Sequence, residues 1–203
     1  MKIFAVGWNY PLHNKEMEHQ CASEPTVFMK PDTALLRNNR PFYIPDFSQE
    51  VHYETEVVLR ICRLGKNIAE KFADRYYDSV ALGVDFTARD LQNRQKAIGG
   101  PWEISKAFDG SAVISEFVPL ETFSNPKALN FNLLLNGKEV QRGNTSQMIF
   151  DFNALIAYIS RFFTLKMGDL IYTGTPSGVG KVSINDHLQG FLENKLMFDF
   201  YVK

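Results

Sequence analysis

A period-two alternation over residues 52–61 is the feature of this sequence that most narrowly limits its fold. The odd-numbered positions carry Tyr, Thr, Val, Leu and Ile, whereas Glu54 and Glu56 stand among the even-numbered ones. Successive side chains of a strand point to opposite faces, so this pattern predicts a strand with one apolar face and two carboxylates on the other. The fold must therefore bury one face of this strand and accommodate two acids beside it.

The other segments predict short strands interspersed with a few helices. Strands are predicted at residues 80–85, 129–135, 138–142, 169–173 and 196–202, with a type I′ hairpin turn at Asn136-Gly137. Helices are predicted at residues 66–77 from Ile68, Phe72 and Tyr76, behind a capping-box pattern at residues 87–90, and behind an Asp151 N-cap from Phe152, Leu155, Ile156, Ile159 and Phe163. The second of these helices is predicted to end near Gly99. More strand than helix predicts an α+β fold.

Length and charge limit the classes of partner. The chain of 203 residues predicts a single domain, residues 1–203, and its net charge of −1 without a basic block gives no reason to expect nucleic acid or an anionic membrane. No stretch approaches the roughly 20 apolar residues that a membrane span needs. The two cysteines, Cys21 and Cys62, form no CxxC motif, so we expect no disulfide framework and a cytoplasmic location.

Glu54, Glu56 and Asp85 are the candidate metal ligands. Two carboxylates on one side of a strand repel each other unless a cation or a proton lies between them, although a solvated strand face is the simpler alternative for the pair alone. Asp85 ends the apolar run 80–85, where a charge beside a buried strand needs a partner. Three carboxylates without a cluster of His or Cys favour Mg²⁺ or Mn²⁺ over Zn²⁺.

His13 and Glu16 form a candidate acid–base pair. They stand three positions apart in the polar stretch 12–20, so they share a face if that stretch is helical. A carboxylate beside an imidazole orients the ring and raises its basicity, which prepares a general base. An exposed histidine with a chance neighbour is the alternative interpretation.

Further polar residues follow the candidate metal ligands. Arg89 and Gln92 share a predicted helix face that can bind a carboxylate, and Lys106 lies in a predicted loop. A Gly/Pro-rich turn is predicted at residues 173–180, which include Thr175. Such a turn can present backbone amides and hydroxyls to an anion. The turn is not a P-loop, because Val182 stands where Ser or Thr is required. A solvated helix face and an ordinary tight turn are the alternatives.

Taken in order, these segments resemble the fumarylacetoacetate hydrolase family over nearly the whole chain. The resemblance rests on Gly7-Trp8-Asn9-Tyr10 with His13 and Glu16, Phe28-Met29-Lys30-Pro31, His52-Tyr53-Glu54-Thr55-Glu56, Asp85 to Gln92, Pro101-Trp102 with Lys106-Ala107-Phe108-Asp109, Gly143-Asn144-Thr145 with Met148-Ile149-Phe150, and Thr173 to Gly180. One departure is Trp8, which stands where the family usually has Arg or Lys.

The resemblance implies a mixed β-roll with peripheral helices, a homodimer and a set of site roles. It implies that Glu54, Glu56 and Asp85 bind Mg²⁺ or Mn²⁺ and that His13 and Glu16 form a catalytic dyad on a lid. It also implies contacts to a 2-oxo acid from Arg89, Gln92, Lys106 and Thr175, with Lys30 as an addition. Lys106 is a further candidate for a catalytic role, because it can assist protonation of an enolate.

The chain looks like the short members of the family, and several activities stay open. The main expectation is a C–C bond hydrolase of acylpyruvates, including fumarylpyruvate. The alternatives are an oxaloacetate decarboxylase or tautomerase and a 2-hydroxyhepta-2,4-diene-1,7-dioate isomerase or decarboxylase. A non-catalytic β-rich binding module is the alternative of another class, and retention of the full set of acids together with His13 and Glu16 argues against it.

Overall fold

A computed structural model describes residues 1–18 and 23–203. Its strands are β1 Ile3–Gly7, β2 Thr26–Lys30, β3 Leu35–Leu36, β4 Val51–Tyr53, β5 Thr55–Ile61, β6 Tyr77–Asp85, β7 Thr87–Ala88, β8 Ala112–Ile114, β9 Val118–Pro119, β10 Asn130–Leu135, β11 Lys138–Asn144, β12 Leu170–Tyr172, β13 Gly180–Lys181, β14 His187–Leu192 and β15 Lys195–Tyr201. The α-helices are α1 Pro11–Glu16, α2 Arg89–Ile98, α3 Glu103–Lys106 and α4 Phe152–Phe162, and short 3₁₀ helices cover Asp32–Ala34, Glu70–Tyr76, Leu120–Thr122 and Thr145–Gln147.

The largest sheet is mixed and brings several strand ends to one edge. Its order is β2-β1-β12-β5-β6-β8-β3, with β9 added beside β6. β1 and β12 run parallel, whereas β5 is antiparallel to both β12 and β6. The ends of β1, β12 and β6 and the beginning of β5 therefore meet at the same end of the sheet. The residues that follow or begin these strands are the ones that line the candidate site.

The remaining strands form two smaller sheets. A four-stranded antiparallel sheet has the order β11-β10-β14-β15, and a three-stranded sheet has the order β13-β4-β7. Asn136 and Gly137 both adopt positive φ, 53° and 78°, between β10 and β11, as the predicted I′ turn requires. The mixture of sheets with few helices confirms the predicted α+β class.

The strand predicted at residues 52–61 is broken at Glu54. β4 belongs to the three-stranded sheet and β5 to the largest one, so the alternating residues are divided between two sheets. The backbone explains the break, because the amide of Thr55 donates to the side chain of Gln141 at 2.9 Å instead of to a neighbouring strand. The carbonyl of Glu54 accepts from the amide of Asp85 at 2.8 Å, which places two of the candidate ligands side by side.

The helix on which Asp151 acts as N-cap is confirmed. The Asp151 carboxylate accepts from the amide of Ala154 at 2.9 Å. The stripe of Phe152, Leu155, Ile156 and Ile159 is buried against the core. Phe163 does not belong to this stripe, because it follows the last helical residue in an extended conformation and is 36% exposed.

α2 ends as predicted but begins differently. Gly99 closes it in the left-handed conformation with φ 65°. The predicted capping box is wrong: Ala88 is the N-cap, and the Asp90 carboxylate accepts from the Ser48 hydroxyl at 2.7 Å. Thr87 pairs with β4 as part of β7, so its backbone is committed to a sheet.

Three other local predictions are corrected. Residues 66–77 do not form an α-helix: Glu70–Tyr76 is a 3₁₀ helix, and Phe72 is 41% exposed. Lys106 is the last residue of α3 rather than part of a loop. Leu196 is exposed, whereas Phe198, Phe200 and Val202 are buried, because a register shift opposite Gly190 and Phe191 moves Leu196 off the predicted face.

The core consists of apolar side chains from all three sheets and α4. Phe42 and Phe86 stack with their ring centroids 3.8 Å apart, and Phe200 packs edge-on against Phe86. No helix within residues 1–18 and 23–203 combines the length and hydropathy needed to cross a membrane. Cys62 is a free thiol, and Cys21 lies outside the described residues.

Candidate metal centre and its cleft

The three predicted acids meet at the converging end of the largest sheet. Glu54 precedes β5, Glu56 lies within it, and Asp85 ends the neighbouring strand β6. Each offers a carboxylate oxygen, and these oxygens all lie within 4.8 Å of one another. The side chains are buried, so their mutual repulsion is poorly screened by water. Such a cluster requires positive charge close by.

Buried cationic side chains supply part of that charge. The Lys106 ammonium lies 2.6 Å from a Glu54 oxygen and 2.8 Å from an Asp85 oxygen. The Arg89 guanidinium donates to Glu54 at 2.5 Å and to the side-chain oxygen of Gln92 at 2.5 Å. Burial raises the pKa of Glu54, but Lys106 and Arg89 outweigh it and hold that pKa below its ordinary value. Glu54 is therefore ionised.

Lys30 lies behind the acids rather than in the cleft. Its ammonium is 2.6 Å from Asp85 Oδ1 and donates to the Ser111 hydroxyl at 3.0 Å and to the carbonyl of Lys106. The side chain is fully buried and is not among the residues that line the cleft. This position favours holding Asp85 in place over the predicted contact with a substrate.

Glu56 differs from the other two acids in its surroundings. Among the described residues no cation lies within ion-pair distance of Glu56, and its Oε2 accepts one bond, from the amide of Gly174 at 2.7 Å. Burial, followed by the charges of Asp85 and Glu54, raises the pKa of Glu56 well above its ordinary value. A cation placed among the three acids would favour the ionised form of Glu56.

The donor set fits a divalent cation. The buried Asp85 Oδ1 contacts the Lys30 ammonium at 2.6 Å, and no second donor among the described residues reaches it. The three acids are Asp85, whose charge is partly neutralised, Glu56, whose pKa is raised, and Glu54. Mg²⁺ and Mn²⁺ prefer oxygen ligands of this kind. The triad can therefore bind a divalent metal.

The cleft combines a charged floor with an aromatic rim. The open space within it is only about 20 Å³, enough for about one water molecule. The lining residues are Val6, Gly7, Trp8, His13, Phe28, Glu54, Glu56, Asp85, Arg89, Gln92, Trp102, Lys106 and Thr175.

The predicted pair of His13 and Glu16 lies on the short helix α1. Pro11 begins this helix, and His13 Nδ1 lies 3.2 Å from Glu16 Oε2. Burial lowers the pKa of His13 in spite of the neighbouring Glu54 and Glu16 carboxylates, so the neutral ring prevails near pH 7. The Glu16 carboxylate accepts a hydrogen bond from the Nδ1–H group, which leaves Nε2 as the nitrogen that can accept a proton.

The Gly/Pro-rich turn binds carboxylates of the protein itself. Gly178 donates its amide to both Glu16 oxygens at 3.0 and 3.2 Å, and this links the turn to α1. Gly174 donates to Glu56, and its φ of 102° is one that L side chains rarely adopt. Amides of the predicted turn therefore face carboxylates of the protein, whereas the Thr175 hydroxyl donates to the Thr55 carbonyl, and binding of an external anion by the turn stays a prediction.

Gln141 is a site residue that sequence analysis missed. Its buried amide accepts from the Thr55 amide at 2.9 Å and donates to Thr175 Oγ1 at 2.9 Å and to the carbonyl of Pro176 at 3.0 Å. Thr175 in turn donates its hydroxyl to the carbonyl of Thr55 at 3.0 Å. Gln141 thus fixes the backbone between Glu54 and Glu56. The sequence alone does not indicate this role, because Gln141 is a single glutamine in a predicted hairpin strand.

Trp8 closes one side of the cleft. Its backbone has φ 64°, and its ring stacks on that of His13 with centroids 5.8 Å apart and planes inclined by 20°. Trp102 meets the Trp8 ring edge-on at 6.1 Å. An aromatic side chain therefore occupies the place beside the candidate base and helps to exclude water from it.

The fold and cleft define a class: a mixed β-sheet enzyme scaffold with a three-carboxylate site for a divalent cation. Residues 2–197 match the family model described as fumarylacetoacetate (FAA) hydrolase C-terminal. The chain therefore belongs to the fumarylacetoacetate hydrolase family, whose members are enzymes.

Relatives of this chain have several activities. The mitochondrial oxaloacetate tautomerase FAHD1 of Rattus norvegicus is 40% identical over 201 residues, which cover 99% of this chain and 91% of the relative. The mitochondrial oxaloacetate decarboxylase of Dictyostelium discoideum is 43% identical over 182 residues, 89% of this chain and 84% of the relative. A crystal structure of fumarylpyruvate hydrolase from Pseudomonas aeruginosa in complex with Mn²⁺ and pyruvate has a TM-score of 0.94 at 34% identity and covers 100% of this chain and 89% of that one.

Proposed function

We propose that this protein is a Mg²⁺- or Mn²⁺-dependent enzyme that interconverts the keto and enol forms of oxaloacetate. The observation that carries the proposal is the convergence of Glu54, Glu56 and Asp85 with the cationic side chains of Arg89 and Lys106 in one cleft. Carboxylates hold the cation, and cations attract an anionic substrate. The name of the rat relative, an oxaloacetate tautomerase, supports the choice of substrate.

The metal and the basic side chains have different roles in this proposal. When bound, the cation supplies Lewis-acid stabilisation of the negative charge on an enolate. Arg89 and Lys106 line the cleft beside the acids and are the candidates to bind the substrate carboxylate, with Gln92 as a neutral donor beside Arg89. Gln141 and Gly174 keep Thr175 and Glu56 in position.

His13 and Glu16 on α1 are the candidates for proton transfer. His13 lies in the cleft with Nδ1 directed to Glu16, so Nε2 is available to take a proton from C3 and deliver it to the enolate oxygen, and to carry out the reverse transfer. Burial lowers the pKa of His13, so the ring is neutral near pH 7 and free to accept a proton. Trp8 covers the ring and limits the access of water, which would otherwise compete for the proton.

Hydrolysis of an acylpyruvate is the second candidate. The same His13 and Glu16 pair is suited to activating a water molecule for attack on an acyl carbonyl, and the likeness to a fumarylpyruvate hydrolase supports this reading. Decarboxylation would use the same carboxylates and Lys106.

Substitution of Glu56 tests the metal site. Glu56→Ala is expected to abolish metal-dependent turnover, because it removes one of three ligands. The control is Glu121→Ala, at an exposed glutamate outside the cleft. Thermal unfolding with and without Mn²⁺ and oxalate, an enolate mimic, gives a second measurement. Undiminished activity of the Glu56 variant would exclude the assignment.

A substrate panel separates the activities. Oxaloacetate, acetylpyruvate and fumarylpyruvate are incubated with Mg²⁺, and the products are identified by NMR. Rapid keto–enol exchange of oxaloacetate without release of CO₂ supports the tautomerase, whereas formation of pyruvate and a free acid supports the hydrolase. The absence of any metal-dependent reaction would favour a non-catalytic binding module.

We further infer that the protein acts as a homodimer. An exposed apolar hollow lined by Pro31, Phe47, Leu91, Ile104 and Phe108, with Glu103 and Ala107, supports this inference. Light scattering at micromolar concentration tests it, and a mass near 23.2 kDa for the particle would contradict it.

A further inference from the structure

Lys96 continues the face of α2 that enters the cleft. Arg89 and Gln92 line the cleft, and Lys96 stands seven positions after the first and four after the second. Residues at these spacings share one helix face. With a rise of about 1.5 Å per residue, Lys96 lies about 6 Å farther along the helix than Gln92, toward the rim.

Aromatic side chains of the rim hold the ammonium of Lys96. Its Nζ lies 4.4 Å from the centroid of the Trp8 ring and 5.8 Å from that of Trp102. Both rings line the cleft. Lys96 is not itself among the lining residues, but a cation over an aromatic face is attracted to it, so the ammonium is held beside two rings that line the cleft.

Lys96 differs from the other cations of the site because it has no acidic partner in the part of the chain that the structure describes. Lys30, Lys106 and Arg89 each lie against Asp85 or Glu54. Within residues 1–18 and 23–203, no carboxylate lies within ion-pair distance of Lys96. A half-buried ammonium over aromatic rings is thus left able to bind an anion from outside the chain.

The charges around Lys96 strengthen that capacity. Burial, together with the positive charges of Arg89 and Lys106, lowers the pKa of Lys96 to about 8, and Glu54 opposes this change. An anion bound beside the ammonium would relieve the repulsion from Arg89 and Lys106. The electrostatic potential at this part of the rim therefore favours a negatively charged group.

We propose that Lys96 binds the second carboxylate of the substrate and thereby selects four-carbon 2-oxo dicarboxylates over 2-oxo monocarboxylates. The inference rests on the proposed function, in which the first carboxylate and the 2-oxo group lie among the acids, Arg89 and Lys106. The far carboxylate of a C4 diacid then points along α2 toward the rim. The aromatic surroundings lower the local dielectric constant and strengthen the ion pair.

The test compares a diacid with a monoacid in matched variants. Lys96→Met removes the charge and keeps a long side chain, Lys96→Arg keeps the charge, and Lys138→Met is the control at an exposed lysine of the β10–β11 hairpin. Proton–deuterium exchange at C3 of oxaloacetate and of 2-oxobutyrate is followed by NMR with Mg²⁺ present. Calorimetric titration of both compounds in the presence of Mg²⁺ gives the ratio of their dissociation constants independently of turnover.

The expected result is a selective loss. In Lys96→Met, the ratio of kcat/KM for oxaloacetate to that for 2-oxobutyrate falls by roughly 10- to 100-fold, as removal of one charge-assisted hydrogen bond predicts. The loss resides mainly in KM, Lys96→Arg recovers most of it, and Lys138→Met leaves the ratio at the wild-type value.

Other results overturn the inference. A ratio that stays within about twofold of wild type in Lys96→Met, or a loss in Lys96→Arg as large as in Lys96→Met, assigns Lys96 to packing against Trp8 alone. If the wild-type protein exchanges neither compound, the proposed function fails, and the ratio of dissociation constants still decides whether Lys96 recognises a second carboxylate. Thermal unfolding within a few degrees of wild type verifies that each variant is folded.

Discussion

Replacing Gln141 with leucine is expected to damage both stability and metal binding. Leucine matches the size of glutamine but makes none of its three hydrogen bonds, so the Thr55 amide and the Pro176 carbonyl are left without the partners they now have. Each buried unpaired group costs about 1–3 kcal/mol, and a total of about 3 kcal/mol is a conservative sum. For a chain of this length, that loss corresponds to a fall in Tm of about 6–12 °C.

The same substitution loosens the candidate ligands. Thr55 stands between Glu54 and Glu56, and freeing its backbone allows both carboxylates to move. Loss of a supporting hydrogen bond behind a metal ligand typically lowers metal affinity by about 10–100-fold. Calorimetric titration with Mn²⁺ measures this effect, and differential scanning fluorimetry measures Tm. The matched control is Gln147→Leu, at an exposed glutamine.

A small effect would refute this reasoning. If Gln141→Leu melts within 2 °C of wild type and binds Mn²⁺ with unchanged affinity, the three hydrogen bonds of Gln141 do not fix the site. If Tm falls while Mn²⁺ affinity is unchanged, Gln141 stabilises the junction between the sheets without positioning Glu54 and Glu56.

Three further predictions concern separate parts of the molecule. Asp151→Ala removes an N-cap and is expected to cost about 1 kcal/mol, seen as a fall in Tm of about 2–4 °C, whereas Asp151→Asn should retain most of the stability; equal Tm values for the two variants would contradict the role of the cap. Because burial and the charge of Arg89 lower the pKa of Lys96 to about 8, kcat/KM for oxaloacetate is expected to decline above pH 8 as the ammonium loses its charge, and the decline should move to higher pH in Lys96→Arg; identical pH profiles would argue against it. His13→Ala is expected to slow acylpyruvate hydrolysis far more than oxaloacetate decarboxylation, measured with both substrates, and equal losses would exclude a role in activating water.

Local patterns in the sequence predicted the acids and the elements that carry them. The period-two alternation placed Glu54 and Glu56 on one side, and the apolar run 80–85 placed Asp85 at a strand end, because both signals depend on neighbours within a few residues. The turn at Asn136-Gly137 and the N-cap at Asp151 were predicted for the same reason. These features hold wherever the surrounding fold leaves the local preference undisturbed.

Long-range contacts decided the features that sequence patterns missed. Gln141 reaches Thr55 across 86 positions of the chain, and no local pattern indicates such a bond. Thr87 has the spacing of a capping residue, but pairing with β4 commits its backbone to a sheet. Residues 66–77 have helical spacing at three apolar positions, yet Phe72 finds no buried surface to cover.

The Gln141 junction has a consequence for how the active protein forms. The site combines three parts that are distant in sequence: the acids, the turn that begins at Thr173 and the strand that carries Gln141. These parts reach their final positions only after the four-stranded sheet has packed against the largest one. Contacts of this kind form late, because each requires closure of a long loop. During refolding from denaturant, recovery of Mn²⁺ binding should therefore lag behind recovery of the far-ultraviolet circular dichroism signal, and the metal becomes a reporter of the last step of assembly.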